Sequence, residues 1–174
     1  PIKFCSVLKI IGKNKKKITL EPTSEQIEIL NALLTGKHCL FLKPRQIGAT
    51  TIIIAFLFWC GLVAENAIVI VLLAHKEKPA KKLLRRIKYM WENLPIELRP
   101  PLKTNSTTEF VFEHNGAGIY VESGQQDGGV RSDSIHLMHI TEINFTPKAL
   151  ELLTTAKSAV NDNPLILEST ANHS

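Results

Sequence analysis

Apolar runs of strand length recur along the chain, at His38 to Leu42, Ala67 to Ala74, Ser134 to Ile140 and Leu165 to Glu168. Between them the apolar positions take helical spacing. Ile27, Ile29, Leu30, Leu33 and Leu34 share a face after Thr23, and Ala80, Leu83, Leu84, Ile87 and Trp91 form a stripe within Lys78 to Trp91. From Thr50 to about Val63 the chain is apolar nearly all round, which predicts a helix buried against a sheet. The unbroken run Ala67 to Ala74 suits a parallel strand covered on both faces. Strands alternating with helices predict the α/β class, with a mainly parallel sheet flanked by helices.

The remaining segments are turns, short strands and one further helix. Alternation at Glu109 to Glu113 and Gly118 to Glu122 around Asn115-Gly116 predicts a hairpin, whose Phe110, Phe112 and Tyr120 are expected to cover the sheet edge. Leu94-Pro95 and Arg99-Pro100-Pro101 end the preceding helix and open a linker-like stretch. Thr146 as N-cap and Pro147 as first helical residue predict a helix to about Ala159. Residues 1–20 read as an extension in which Lys13, Lys15, Lys16 and Lys17 form a solvated turn between two short strands or, alternatively, touch DNA.

Chemistry concentrates after the first apolar run. Lys43-Pro44-Arg45-Gln46-Ile47-Gly48-Ala49-Thr50-Thr51 joins a strand to a buried helix, the layout of a phosphate-binding loop. Against G-x-x-x-x-G-K-S/T, Gly48 and Thr50 are in register, Lys43 replaces the first Gly, and Ala49 replaces the Lys. The cations stand at the front of the loop instead, as Lys43 and Arg45, and either can serve the phosphates. Thr50 is the expected Mg²⁺ ligand; as a purely structural residue it would be the N-cap of the helix. Thr23 and Gln26 have capping-box spacing.

Ser134 to Glu142 is an apolar strand ending in an acid, and Leu165 to Asn172 is a strand ending in small polar residues. With Arg45 to Thr51 these resemble, from about Thr23 to Asn172, the P-loop (ASCE-type) ATPase domain of large terminase subunits, the viral DNA-packaging motors. The resemblance implies ATP and Mg²⁺ as cofactors, and ATP hydrolysis driving double-stranded DNA into a procapsid. It implies Glu142 as catalytic carboxylate, Lys43 as phosphate cation, and a nucleotide site comprising Gln26, Lys43, Arg45, Gln46, Ile47, Gly48, Ala49, Thr50 and Thr51. Gln26 would pair with adenine. Thr141 stands where a standard second motif has Asp, so its hydroxyl would hold a metal-bound water. Arg131, in the glycine-containing loop before that strand, would stabilise charge on the γ-phosphate in cis or in trans, or else merely bind a surface carboxylate. Ser169, Thr170 and Asn172 match the motif that couples hydrolysis to motion, although His173 follows where the family commonly has Gly. Portal protein, small terminase subunit and further copies of the chain are the implied partners. The family's metal-dependent nuclease domain would follow Ser174, so no nuclease activity is expected of residues 1–174, read as one ATPase domain.

Composition adjusts this picture little. The chain has 174 residues, a formal net charge of +5 and 44% hydrophobic residues, with a sequence pI near 9.2. A basic balance fits a polyanionic partner. Lys78, Lys81, Lys82, Arg85, Arg86 and Lys88 crowd one side of a single helix, a face either solvated or set against DNA. Cys5, Cys39 and Cys60 lack metal-ligand spacing; Cys39 and Cys60 are expected to be buried thiols, in a reducing host cytoplasm. Ile52 to Ala64 is too short to span a membrane. Two rival readings stay open. One is a helicase-like ATPase fragment, although such enzymes normally keep an intact Gly-Lys-Ser/Thr and an Asp-Glu pair. The other is a non-catalytic nucleic-acid-binding domain with a decayed loop, for which Ala49 speaks.

Overall fold

The computed structural model describes residues 1–44, 47–74, 76–123, 134–145 and 148–170. After a short helix α1 (Ile2–Cys5), β1 (Lys9–Ile11) and β2 (Lys17–Thr19) form the expected antiparallel ribbon around the lysine turn. Next come α2 (Ser24–Leu34), β3 (Cys39–Lys43), α3 (Ala49–Val63), β4 (Val69–Ala74) and α4 (Glu77–Glu92). Then follow β5 (Leu102–Asn105), β6 (Glu109–Phe112), β7 (Gly118–Ser123), β8 (Leu137–Thr141), α5 (Ala149–Val160) and β9 (Leu165–Thr170). The main sheet has seven strands in the order β3-β9-β8-β4-β7-β6-β5. The first five run parallel, and β6 and β5 extend the sheet antiparallel.

Side-chain alternation builds the layers. On β4, Ile70 and Leu72 join the core beneath α2, α3 and α4, while Val71 and Leu73 join a second core beneath α5. The same parity sends Ile166 of β9 and Leu137 of β8 to the α3 side, and Met138, Ile140, Leu165 and Leu167 to the α5 side. It therefore places His139 and Thr141 on β8, and Glu168 and Thr170 on β9, on the face that carries α3. Polar residues at the strand starts are also tied in. His136 Nδ1 accepts from the Val69 amide at 3.1 Å and His38 Nδ1 from the Leu165 amide at 3.1 Å.

Several expectations change. The stretch after Pro100-Pro101 is not a linker, because β5 pairs with β6 and the Trp91 indole donates to the Pro100 carbonyl at 2.9 Å. The hairpin does not cover the sheet edge; β7 enters the sheet beside β4 in parallel. Its turn also caps a helix. Asn115 Nδ2 donates to the carbonyls of Gly61 and Ala64 at 2.9 and 2.8 Å, satisfying acceptors left over at the end of α3. Gly48, not Thr50, is the N-cap of α3. The cap of α5 is Lys148; Thr146 and Pro147 lie outside the described residues. Cys5 is the buried thiol, whereas Cys39 and Cys60 are half-buried, and all three are free. Among the described residues no helix is long and apolar enough to cross a membrane.

Candidate active site

Parallel strands in this order bring their carboxyl ends to one rim, where ligands of open α/β sheets bind. Lys43 ends β3, Thr141 ends β8 with Glu142 next, and Glu168, Ser169 and Thr170 end β9 between them. Residues paired across the strands are Lys43 with Thr170, Phe41 with Glu168, and Thr141 with Glu168.

Gly48 takes φ +74° in the turn that opens α3, a conformation L side chains rarely adopt. A Cβ there would stand 2.5 Å from Gln26 Nε2. Gln26 is buried and fixes the loop: its Nε2 donates to the Ile47 carbonyl at 2.9 Å. Its Oε1 accepts from the Thr23 amide at 3.2 Å, which completes the capping box of α2. An amide has two donor hydrogens and two acceptor lone pairs. Among the described residues one of each is unused, so the capping and adenine roles are compatible.

Lys43 is the centre of the cluster. Its Nζ donates to Thr50 Oγ1 at 3.0 Å, pairs with Glu168 Oε2 at 3.1 Å, and lies 4.0 Å from Glu142 Oε1. The loop has no cation at Ala49, and the Lys43 ammonium from the end of β3 stands beside the first turn of α3. Thr50 sits in the first turn of α3 with its hydroxyl toward Lys43. Ala49 is fully buried beside it. Thr51 borders a different space, the groove between β1 and α4 also lined by Ile10, Lys82, Arg85 and Arg86.

Glu142 has φ +52°, a strained value for a residue with a Cβ, and such strain gathers at functional sites. Both carboxylate oxygens are held by one residue. Thr170 N donates to Oε2 at 3.0 Å and Thr170 Oγ1 donates to Oε1 at 3.0 Å. Ser169 Oγ accepts from the Asn144 amide at 3.2 Å in the turn after Glu142. The end of β9 therefore grips the segment that carries the acid.

Sequence reasoning missed Glu168. Its carboxylate is fully buried, with Oε1 accepting from Thr141 Oγ1 at 2.8 Å and lying 3.5 Å from Nε2 of the buried His139. Burial pushes its pKa up. The neighbouring His139 imidazole, then the Lys43 ammonium and the Thr50 hydroxyl, outweigh burial and hold it down at about 2. The available signal was an acid inside an otherwise apolar strand, at the parity that faces α3. Arg45, Gln46, Arg131 and Asn172 lie outside the described residues.

Residues 40–168 match the family described as terminase large subunit, T4likevirus-type, N-terminal. The chain belongs to this family. Among solved structures, the large terminase of bacteriophage HK97 superposes with TM-score 0.75 at 17% identity, over 97% of this chain and 36% of that one. The Thermus phage P74-26 large terminase ATPase domain gives 0.58 at 14% identity, over 88% of this chain and 71% of that one. A large terminase from a thermophilic bacteriophage, in complex with ATP-γ-S, gives 0.61 at 12% identity, over 84% of this chain and 37% of that one. The UvsW helicase of bacteriophage T4 shares the fold at TM-score 0.59 and 15% identity, over 95% of this chain and 57% of that one. No curated protein sequence matches. The fold is thus that of the P-loop NTPases, and the chain spans about a third of the HK97 terminase and of the thermophilic-phage terminase.

Mg²⁺ takes hard oxygen ligands, and this terminase domain offers them around the Lys43 ammonium: the Thr50 hydroxyl and the carboxylates of Glu168 and Glu142. Among the described residues Glu168 Oε2 has no hydrogen-bond partner of good geometry, and it faces the Lys43 ammonium at 3.1 Å. The donor set fits the ion. Among the described residues, no group of three or more His, Cys, Asp or Glu is placed to hold a metal ion by itself.

Proposed function

We propose that this domain hydrolyses ATP to drive double-stranded DNA into a viral procapsid, as the motor domain of a large terminase subunit. The observation that carries the reading is the convergence of Lys43, Thr50 and Glu142 on one rim of a parallel sheet, at the N-terminus of a buried helix. Phosphoryl transfer to water needs charge neutralisation, a metal and a group that orients the water. Lys43 supplies the positive charge for the phosphates, and the first-turn amides of α3 bind their oxygens. Thr50 would hold the metal, which when bound neutralises phosphate charge. Thr141 would hold a water on it. Glu142 orients the attacking water and accepts its proton as the bond to the leaving ADP oxygen breaks. Gln26 pairs with adenine through its open donor and acceptor. Arg45, Gln46 and Arg131 are assigned to the phosphates, and Asn172 to coupling.

Thr170 donates one hydrogen bond to each oxygen of Glu142, and each oxygen keeps a second acceptor position for a water. The same contacts tie the acid to the end of β9, which gives Ser169 and Thr170 a physical route to couple hydrolysis to motion. The DNA partner is supported by the basic face of α4, where Lys78, Lys82, Arg85 and Arg86 are exposed and carry no ion pair among the described residues. Portal protein, small terminase subunit, a ring of identical subunits and the host cytoplasm belong to the same reading.

Steady-state ATP turnover by the purified chain, with and without double-stranded DNA, tests it beside Glu142→Gln. Turnover that DNA stimulates, and that Glu142→Gln lowers at least about 100-fold without weakening nucleotide binding, is the expected result. Turnover unchanged in Glu142→Gln would remove the acid from the mechanism. Tight nucleotide binding with no turnover would favour the non-catalytic reading.

A further inference from the structure

The family's standard second motif places a carboxylate beside the metal, one residue before the catalytic acid. This chain has Thr141 there, a neutral hydroxyl. The structure shows where that hydroxyl points: Thr141 Oγ1 donates to Glu168 Oε1 at 2.8 Å, across from β8 to β9. The other oxygen, Oε2, meets Lys43 Nζ at 3.1 Å. The same ammonium is bonded to Thr50 Oγ1 at 3.0 Å and stands 4.0 Å from Glu142 Oε1. One cation therefore sits where a hydroxyl and two carboxylates converge, a set of hard oxygen donors of the kind Mg²⁺ takes.

We propose that Glu168 is the metal-binding carboxylate of this site, relocated by one strand from the position of Thr141, and that it exchanges the Lys43 ammonium for the nucleotide's divalent cation. The proposal rests on the nucleotide-site reading above. Charge and burial carry it. Lys43 has to leave Glu168 to neutralise a phosphate. Its departure would leave His139, 3.5 Å from Oε1, as the neighbouring ionisable group, and would vacate the position faced by Oε2, which is buried and has no hydrogen-bond partner among the described residues. A buried carboxylate that loses a charged partner is strongly disfavoured. Two negative charges, from Glu142 and Glu168, would then share the pocket, and one divalent cation balances both. Thr141 acts as a positioning residue, because its O–H fixes Oε1 and turns Oε2 toward Lys43 and Thr50. The exchange would also tie nucleotide arrival directly to β9, whose next residues hold Glu142 and the turn beyond it.

The test is equilibrium binding of ATP and ADP with and without Mg²⁺, paired with Mn²⁺ binding to the ADP complex read by electron paramagnetic resonance. Glu168→Gln should bind metal-free nucleotide at least as tightly as the wild type, because the competitor for Lys43 is gone. It should lose at least about tenfold of the enhancement that Mg²⁺ gives, with a matching loss of Mn²⁺ affinity. Adding Thr141→Asp should restore that enhancement by returning a carboxylate to β8. A merely structural Glu168 would move both binding modes together and would not be rescued. Should Glu168→Gln fail to fold, Glu168→Asp keeps the charge but withdraws the oxygens by one methylene, and the Mg²⁺ enhancement should drop several-fold. An unchanged Mg²⁺ enhancement in either variant would overturn the proposal and leave the nucleotide site standing. No nucleotide binding by the wild type would overturn both.

Discussion

Gly48 has little conformational freedom. Its φ of +74° and the 2.5 Å approach of Gln26 Nε2 to a built Cβ forbid a side chain twice over. Gly48→Ala should cost about 1–2 kcal/mol of stability from the left-handed backbone alone. It should also weaken nucleotide binding, because the Gln26 amide must abandon the Ile47 carbonyl. Urea unfolding and a binding titration read the two effects separately. Glu168 makes a pH prediction with a definite sign. Its carboxyl is held from 4.5 down to about 2 in the fold, so its stabilising share is present above the unfolded value and is lost as pH falls from 4.5 toward 2. The stability gap between wild type and Glu168→Gln should therefore narrow over that range. Legibility in the sequence divided along the same lines. Lys43, Thr50 and Glu142 stood out because each ends or begins an apolar run, where polar residues reach a rim, and Thr170 through the resemblance of Ser169-Thr170-Ala171-Asn172 to the family's third motif. Glu168 did not, because a strand's end is blurred in sequence, and β9 runs two residues further than the apolar pattern shows.

At the scale of elements, α3 is the core's main contributor and the pattern of its sequence said so. Phe58 is fully buried, stacked on Phe112 at 6.1 Å and edge-on to Phe110 at 6.3 Å, with Phe4 of α1 at 5.7 Å. Phe58→Ala should cost about 3–5 kcal/mol, measured as a lower denaturation midpoint with an unchanged slope. Conservative repacking by Phe58→Leu should cost clearly less. The parallel core strands were legible because their unbroken or alternating runs had no competing helical period. β5 was not. Leu102 to Asn105 has only one large apolar residue, and its strand state comes from pairing with β6, an interaction distant in space from any local propensity. The Asn115-Gly116 turn was read correctly as a hairpin. Its second task, accepting the end of α3, depends on β7 lying beside β4, which no local pattern encodes.

At the scale of the molecule, charge is distributed unevenly. The lysine turn between β1 and β2 packs toward α4, where the Lys17 ammonium donates to Asn93 Oδ1 at 2.7 Å, so the two basic stretches lie on one side. Replacing Lys82, Arg85 and Arg86 together by Ala should weaken double-stranded DNA binding and make its salt dependence shallower by about 2–3 in log–log slope. Nucleotide binding should be unaffected, and fluorescence anisotropy at several salt concentrations would show it. An unchanged slope would move the DNA to another face. In the proposed function the rim of β3, β9 and β8 is one nucleotide site with Lys43 as its phosphate cation. The direct measurement is the affinity of the chain for Mg²⁺-ATP beside Lys43→Ala, with circular dichroism to establish that both are folded. A charge-assisted contact of about 2–3 kcal/mol predicts a loss of about 30- to 150-fold. Equal affinity in the two folded proteins would contradict the account, because the ammonium at the centre of the cluster would then touch no phosphate.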